Sequence, residues 1–266
     1  MKSIVNFFIT LLVIIIIFYC FFLIDKIENF QNNQKKLQFI HIPKNAGTSI
    51  ENLGYKFGIK WGRFIPFYKY KYKTSNNIKC SHWHNPYFTR EDNTDYFTVV
   101  RNPYDKIISE FYYDNGHTNE KYASDSHLKS FYLWLDEKHK IIKSNKYKND
   151  CHLLPQHEYI YDSNGKKRID HIIYMDKDFK ENLDKLFKKY NLGIDINKLK
   201  KDNSRKKTFS KNDINQNALN KINEMYSKDF EKFSFTKLMA GNGIENFTNK
   251  RDIDYYEDYE SNNKKD

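Results

Sequence analysis

Short apolar runs that end in polar turns predict buried strands leading into helices at two places in the chain. Residues 37–42 form the first run, and a proline ends its regular pairing because proline lacks a backbone donor. Residues 96–100 form the second run, and Arg101 stands at its carboxyl end. The Asn-Pro pair that follows predicts a helix start, and apolar residues then recur at helical spacing.

The remainder of the chain continues this alternation. Apolar residues at helical spacing predict amphipathic helices over residues 127–143, 179–190 and 218–230. A Ser-Asn-Gly turn separates two further predicted strands at 159–162 and 169–175. The pattern therefore predicts an α/β fold, with a central and mainly parallel sheet flanked by helices.

The amino terminus has a different pattern, which predicts a membrane anchor. Residues 4–24 carry no charge over 21 positions, enough at the α-helical rise to cross about 30 Å of hydrocarbon. A cleaved signal peptide would need a shorter apolar core and a small-residue cleavage site. We therefore divide the chain into a cytoplasmic end (1–3), a transmembrane helix (4–24), a polar stem (25–36), the main domain (37–240) and a polar, disordered tail (241–266).

The charges beside this span predict a single-pass type II protein. Lys2 and the free amine precede the span, whereas Asp25 and Glu28 outnumber Lys26 after it, so the positive-inside rule directs the short amino end to the cytosol. The main domain would then lie in the Golgi or secretory lumen. A glycosylation sequon at Asn246 is compatible with that side and with a glycoprotein.

Composition adds less than the pattern does. The net charge of +11 admits nucleic acid, an anionic membrane surface or a polyanionic substrate as a partner. No recognised nucleic-acid module accompanies the charge, so we expect no nucleic-acid partner. Residues 68–73 alternate Tyr and Lys, which suits a sulfated or carboxylated glycan and equally a solvated edge strand. Cys80 and Cys151 lie outside the span and can pair in an oxidising lumen or remain free.

The turn after the first strand has the residues of an anion site. In the segment FIHIPKNAGTSI, residues 39–50, Gly47 permits close approach of a ligand to the backbone. Thr48 and Ser49 add hydroxyls beside the unpaired amides of a helix first turn, where phosphate or sulfate binds favourably. Lys44 supplies a positive charge but precedes the glycine, whereas in the ATPase-type loop the lysine follows it.

A second anion site is predicted after the second strand. Arg101 presents a planar fork that donates two parallel hydrogen bonds to phosphate. The chain has only six arginines among 45 basic residues. An arginine at a strand end therefore indicates that the planar guanidinium, and not only a positive charge, is required there. Ser109 lies eight residues on, two turns into the predicted helix, where its hydroxyl can share an anion with the guanidinium.

The two segments together resemble those of the sulfotransferases. FIHIPKNAGTSI is similar to their 5'-phosphosulfate loop, and VVRNPYDKIISEFYY is similar to their 3'-phosphate segment. A looser similarity, to the membrane-anchored carbohydrate sulfotransferases of the Golgi, extends to about residue 238. The resemblance implies a P-loop-like sulfotransferase fold and 3'-phosphoadenosine 5'-phosphosulfate as sulfate donor. The donor-binding residues that it implies are Lys44, Asn45, Ala46, Gly47, Thr48 and Ser49 at one end, Arg101 and Ser109 at the other, and Asn203, Ser204 and Arg205 in a closing loop.

The transfer itself needs a base and a cation. Lys44 is our candidate for stabilising the charge that grows on the leaving phosphate oxygen. The segment KCSHWHNPYF carries His82 and His84, similar to the His-x-His of the heparan sulfate 2-O-sulfotransferase group, in which a histidine is the base. His84 is our first choice and His82 the second, because a histidine pKa near ~6.5 suits proton transfer at neutral pH. Alternatively, one histidine is exposed and the other packs beside Trp83.

The other polar residues near these motifs have simpler explanations. We expect His41 to pack on its strand or to contact the loop, Glu51 to interact with the helix amides, and Glu110 to face solvent or pair with a lysine. No set of ligands with metal-binding spacing is evident, so we expect no metal.

Several functions therefore stay open at this level. The favoured function is sulfation of a carbohydrate hydroxyl, with an acceptor that can be a polyanionic glycan, by a membrane-anchored enzyme. Protein tyrosine sulfation is an alternative with the same chemistry, and a glycan-binding module without turnover is another. A P-loop nucleotide kinase is disfavoured by the position of Lys44.

Overall fold

A three-stranded parallel sheet lies at the centre of the protein. The computed structural model describes residues 12–23, 35–66, 80–116, 118–200 and 206–239. The strands are β1 (Lys36–Ile40), β2 (Thr94–Val100) and β3 (His171–Tyr174). The α-helices that follow β1 are α1 (Gly47–Lys56), α2 (Pro103–Tyr113), α3 (His127–Ser144), α4 (His157–Ile160), α5 (Phe179–Lys189), α6 (Gln216–Met225) and α7 (Ser227–Phe233).

The central strand is β2, which pairs in parallel with β1 on one side and with β3 on the other. Phe39 of β1 lies opposite Phe97 of β2, and Val100 lies opposite Tyr174 of β3. Because all three strands run in the same direction, the loops after β1 and β2 meet at the carboxyl edge of the sheet, where ligands of open α/β sheets bind. The predicted α/β class with a parallel sheet flanked by helices is confirmed.

Alternate side chains of β2 face opposite sides of the sheet and join different hydrophobic clusters. Phe97 and Val99 pack with residues of β1, α1 and α5. Tyr96 and Val100 pack with residues of α4 and the end of α7. Each fully buried apolar side chain contributes about 1.5–3 kcal/mol relative to an exposed one. Both faces of the sheet are therefore covered, and its carboxyl edge is held in a fixed position.

The helix after β2 begins as its sequence predicts. The side chain of Asn102 accepts a hydrogen bond from the backbone amide of Tyr104 at 3.0 Å, and Pro103 occupies the first helical position. Buried residues of α2 then pack against α3 and α6 in a separate, helical cluster that includes Phe111 and Trp134. This packing fixes the direction of α2 relative to the sheet.

Two predicted elements differ from the structure. Residues 159–162 were expected to form a strand, but α4 occupies residues 157–160 and only a single bridge joins Tyr161 to Lys167. The reason is distant in sequence: Asp229 accepts hydrogen bonds from the backbone amides of Gln156 and His157 at 2.8 and 2.9 Å, which favours a helical start.

The predicted helix over 218–230 is divided into α6 and α7 at Tyr226. The buried side chain of Tyr226 donates a hydrogen bond from its hydroxyl to the carbonyl oxygen of Leu153 at 3.1 Å. The break is therefore anchored to the loop that precedes α4.

The predicted membrane span lies partly outside the described residues. Residues 12–23 are helical and their apolar side chains are exposed. Within the described ranges, no helix combines the length and apolar character that crossing a bilayer requires. The cytoplasmic end, most of the stem, the Tyr-Lys segment at 68–73, the tail and the Asn246 sequon also lie outside these ranges. The predicted anchor and orientation therefore stay predictions.

Candidate functional site

The loop between β1 and α1 has an unusual backbone. Lys44 and Ala46 both adopt left-handed conformations, with φ of 68° and 61°. Such a conformation costs a residue with a side chain about 1–2 kcal/mol, so neighbouring contacts must maintain it. Asn45, between them, donates from Nδ2 to the carbonyl oxygen of Val99 at 2.8 Å and to Oε1 of Gln156 at 2.6 Å. The buried Asn45 amide therefore fixes the loop to the sheet.

The first turn of α1 is arranged to receive an anion. Ala46 caps the helix without a side-chain hydrogen bond, and the first turn contains no acidic residue. An added Cβ at Gly47 would lie 2.1 Å from Nε2 of His41, so only glycine fits against that ring. Thr48 is half-buried and Ser49 is buried. The amides of this turn are consequently not covered by a capping side chain, which favours a bound phosphate or sulfate.

Arg101 joins the second predicted anion site to the first. Its Nη1 donates a hydrogen bond to the carbonyl oxygen of Lys44 at 3.0 Å. Its backbone is held by Gln156, which accepts from the Arg101 amide and donates to the Arg101 carbonyl oxygen, both at 2.8 Å. Ser109 lies on the second turn of α2 and is half-buried. The two motifs, 57 residues apart, therefore form one surface.

Gln156 and Asp229 support this surface from beneath, and the sequence did not single out either residue. Both are fully buried. Asp229 accepts hydrogen bonds from the amides of Gln156 and His157 and from Nδ1 of His157 at 2.8 Å. The C-terminal helix α7 is thereby connected through Gln156 to Asn45 and Arg101. The one sequence feature that could have indicated a buried role for Gln156 is its position at the end of the apolar Leu-Leu-Pro run.

His84 is buried and paired with a carboxylate. Its Nδ1 lies 2.8 Å from Oδ2 of Asp150. Burial lowers the pKa of His84 to about 4, although the hydrogen bond to Asp150 raises it; the nearby His41 and His152 lower it further. Burial alone would raise the pKa of Asp150, but hydrogen bonds from His84 and Ser81 outweigh that effect and lower it to about 2. At neutral pH His84 is therefore a neutral imidazole beside an ionised carboxylate.

Two more histidines next to His84 have the same kind of partner. Nδ1 of His41 lies 2.7 Å from Oε1 of Glu51, and Nδ1 of His152 lies 2.8 Å from Oε2 of Glu110. Both carboxylates are buried. The simpler explanation for Glu110 was therefore wrong, because this carboxylate faces inward and bonds a histidine. Glu51 also bonds a histidine, and its expected interaction with the helix amides stays a prediction. The expected contact of His41 with the loop is found at Gly47.

Two rows of side chains connect the anion loop to His84. In the first row, Nζ of Lys44 lies 3.8 Å from the ring centroid of Tyr113, and Tyr113 stacks on His152 at 5.0 Å. His152 in turn contacts His84 edge to face at 4.9 Å. The second row runs from the loop through His41, whose ring centroid lies 4.8 Å from that of His84. His84 is thus adjacent to the anion loop by two independent routes.

The segment that carries His84 is joined covalently to the segment that carries Asp150. Cys80 and Cys151 form a disulfide, which decides the pairing that the sequence left open. His82 is half-buried, with its ring 4.7 Å from that of Trp83. His84 is the more deeply buried of the two candidate bases, and it is bonded to a carboxylate.

One cluster of potential metal ligands is found in the described part of the chain. One ligand atom each of His84, Asp150 and His152 lies within 4.8 Å of the others. The carboxylate of Asp150 is already bonded to His84 and Ser81, so we interpret the three side chains as a hydrogen-bonded network. The expectation of no metal stays a prediction.

Asn203, Ser204 and Arg205, expected to close over the nucleotide, lie outside the described residues.

The fold and site define an α/β protein with two candidate anion loops at the carboxyl edge of a parallel sheet, and with a carboxylate-paired histidine beside the first loop. A profile described as Sulfotransferase family matches residues 28–236, more than half of the chain. The chain therefore belongs to the sulfotransferase family. Neither the curated proteins nor the solved structures gave a match. Membership supports an enzyme that transfers sulfuryl groups, and sulfotransferases generally take them from 3'-phosphoadenosine 5'-phosphosulfate.

Proposed function

We propose that this protein transfers a sulfuryl group from 3'-phosphoadenosine 5'-phosphosulfate to a hydroxyl of a carbohydrate acceptor. The observation that carries the proposal is the hydrogen bond from Arg101 to the carbonyl oxygen of Lys44. A donor with anionic groups at both ends of one nucleotide requires two anion sites on the same edge of the sheet. Lys44 and Arg101 meet that requirement.

Each end of the donor has residues suited to it. The phosphosulfate end would bind the first-turn amides of residues 47–49 together with Lys44, where the helix dipole and the ammonium both favour negative charge. The 3'-phosphate would bind Arg101, whose fork matches phosphate geometry, and Ser109. The side chain of Asn45 bonds Val99 and Gln156. Asn45 would therefore help donor binding by holding the loop in its conformation.

The transfer is an in-line displacement. The bond between the acceptor oxygen and sulfur forms, and the bond between sulfur and the bridging phosphate oxygen breaks. Lys44 would stabilise the negative charge that develops on that phosphate oxygen. His84, neutral because burial lowers its pKa to about 4, would accept the proton of the acceptor hydroxyl at Nε2, since Nδ1 faces Asp150. His82 is the second candidate base.

The acceptor class rests on the resemblance to carbohydrate sulfotransferases, among which the heparan sulfate 2-O-sulfotransferase group has a similar His-x-His. A protein tyrosine acceptor would use the same donor site and the same base. A glycan-binding module would retain the anion site without transfer, and a nucleotide kinase would require a phosphate donor. An acceptor assay distinguishes all four functions.

We also propose that the domain works in an oxidising secretory compartment, as part of a type II membrane protein. The apolar run at 4–24 and the Cys80–Cys151 disulfide support this location. Carbonate extraction and protease protection of microsomes test it. Protection of the main domain is expected, and digestion of that domain in intact microsomes would reject the orientation.

The function is tested with the full-length chain in mild detergent. We would incubate it with sulfur-labelled donor, and in parallel with γ-phosphate-labelled ATP, on a panel of desulfated glycans, tyrosine peptides and nucleotides, with and without EDTA. Lys44→Ala and His84→Ala should each lower transfer by about 100-fold or more, since a general base alone contributes about 10²–10⁴-fold. Lys185→Ala is the matched control, because Lys185 is an exposed residue of α5 paired only with its helix neighbour Glu181 among the described contacts.

Binding of the product nucleotide, adenosine 3',5'-bisphosphate, separates the outcomes. Labelled glycan from the parent, but not from the two variants, would support the assignment. Binding of nucleotide without transfer to any acceptor would favour the non-catalytic module. Transfer that survives both substitutions would reject the roles of Lys44 and His84, and loss of transfer in EDTA would reject the expectation of no metal.

A further inference from the structure

Two irregular segments meet at the proposed base. One contains Cys80, Ser81 and His84, and the other contains Asp150 and Cys151. Neither segment belongs to the sheet, and the disulfide links them across 71 residues. The cysteines stand four residues before His84 and directly after Asp150. The covalent link is thus placed at the base and at its carboxylate, not at a remote part of the fold.

Asp150 bonds both ends of the short segment that carries His84. One carboxylate oxygen accepts a hydrogen bond from the backbone amide of Ser81. The other accepts from the Ser81 hydroxyl at 2.9 Å and lies 2.8 Å from Nδ1 of His84. A single carboxylate therefore sets both the backbone position and the ring orientation of the proposed base.

The backbone that presents Asp150 is strained. Asn149, Asp150 and Cys151 are three consecutive residues with left-handed φ values of 57°, 51° and 60°. Each left-handed residue costs about 1–3 kcal/mol, so several surrounding contacts must hold it in this conformation. Asn149 contributes one restraint, a hydrogen bond from Nδ2 to Oε1 of Glu110 at 3.0 Å. The disulfide contributes a covalent restraint at Cys151.

We propose that Asp150 is the positioning residue for His84, and that the Cys80–Cys151 disulfide is required to keep Asp150 on the imidazole. The inference rests on the proposed role of His84 as base. By accepting a hydrogen bond from Nδ1–H, Asp150 selects the tautomer in which Nε2 can take a proton from the acceptor. His41 and His152 approach the same ring, and each is bonded to its own carboxylate, Glu51 or Glu110.

The disulfide does not itself hold the contacts that shape the donor site. The loop at Lys44 and the backbone of Arg101 are held by Asn45, Gln156 and the sheet, and these contacts involve neither cysteine. Reduction should therefore release Asp150 from its strained conformation and weaken the base, while nucleotide binding remains. A disulfide that acts only as a general stabiliser would affect both properties together.

The first test exchanges Asp150→Asn in the full-length chain, with Asp125→Asn as the control on an exposed surface carboxylate. Transfer should fall by about 100-fold or more, and the affinity for adenosine 3',5'-bisphosphate should stay within about twofold. Imidazole ¹⁵N NMR at neutral pH supplies a readout that does not need transfer. His84, assigned by loss of its signal in His84→Ala, should carry its proton on Nδ1 in the parent and shift toward Nε2 in Asp150→Asn.

An unchanged tautomer or an unchanged rate in Asp150→Asn would overturn the positioning role. If the parent transfers sulfate to no acceptor, the proposed function fails, but the tautomer experiment still decides whether Asp150 orients His84. The two failures are therefore distinguishable.

The second test reduces the disulfide in a Cys20→Ser parent, so that Cys80 and Cys151 are the only cysteines left. After reduction and alkylation, verified by mass spectrometry, transfer should fall by about tenfold or more, with nucleotide affinity within about twofold. Reoxidation of a sample that was reduced but not alkylated should restore the rate. A full rate with both thiols alkylated would overturn the proposal, as would a parallel loss of nucleotide binding.

Discussion

The guanidinium of Arg101 donates a hydrogen bond from Nη1 to the carbonyl oxygen of Lys44 at 3.0 Å. This contact brings together two loops that follow neighbouring parallel strands. It also supports the left-handed conformation of Lys44, because the carbonyl oxygen of a strained residue is held in place. Arg101 therefore shapes the first anion loop, and in the function that we propose it also supplies the cation of the second.

Arg101→Lys should weaken nucleotide binding. A lysine carries a single ammonium group, so it cannot donate two parallel hydrogen bonds to a phosphate and also bond the carbonyl oxygen of Lys44. Hydrogen bonds to charged groups contribute about 1.5–3 kcal/mol, so we expect adenosine 3',5'-bisphosphate to bind about 10–100-fold more weakly by calorimetry. Arg90→Lys is the control, since Arg90 bonds Thr94 at the opposite end of β2. Equal affinities for Arg101→Lys and the parent would contradict the shared anion surface.

Gly47→Ala should disrupt the first anion loop through a steric contact. The added Cβ would lie 2.1 Å from Nε2 of His41, so either the ring leaves Glu51 or the start of α1 moves. Overpacking of this kind costs about 1–3 kcal/mol. We expect nucleotide affinity to fall about tenfold, and His41→Ala in the same chain to recover part of it. If the double variant binds no better than Gly47→Ala, the ring contact is not the cause.

Gln156→Glu should destabilise the whole domain. A carboxylate cannot donate to the carbonyl oxygen of Arg101, and it would lie close to the buried Asp229. An unsatisfied buried group costs about 1–3 kcal/mol, and more when it is charged, so Tm should fall by about 2–4 °C for each kcal/mol lost. Gln216→Glu, at the half-buried first residue of α6, is the matched control in thermal unfolding. A Tm equal to that of the control would show that Gln156 is dispensable.

Transfer should persist at unusually low pH. Burial lowers the pKa of His84 to about 4, so the imidazole stays neutral above that pH and becomes protonated below it. The acid limb of kcat/KM, which reports the free enzyme, should therefore have its midpoint near pH 4 and not near the ordinary value of about 6.5. Circular dichroism at each pH checks that the fold is retained. A midpoint near ~6.5 would contradict a buried base.

Much of the fold could be predicted because its signals are local. The apolar runs predicted β1, β2 and β3, and the Asn-Pro pair predicted the start of α2, which the Asn102 cap and Pro103 now explain. The loop residues Lys44 and Gly47 and the strand-end Arg101 were also singled out from the sequence, and their roles toward the donor stay predictions. Strand periodicity, helix caps and glycine turns depend on residues within a few positions of one another, so they are visible without a structure.

The partners of those residues were decided by the tertiary structure. Asp150 bonds a histidine 66 residues away, and Asp229 turns a predicted strand into α4 from 73 residues away. Buried polar groups must find hydrogen-bond partners, but which partner each one finds depends on how distant segments pack. The sequence therefore determined the strands, the loops and the candidate base, whereas only the folded chain decided which carboxylate faces His84, which cysteines pair and how Gln156 joins the two anion loops.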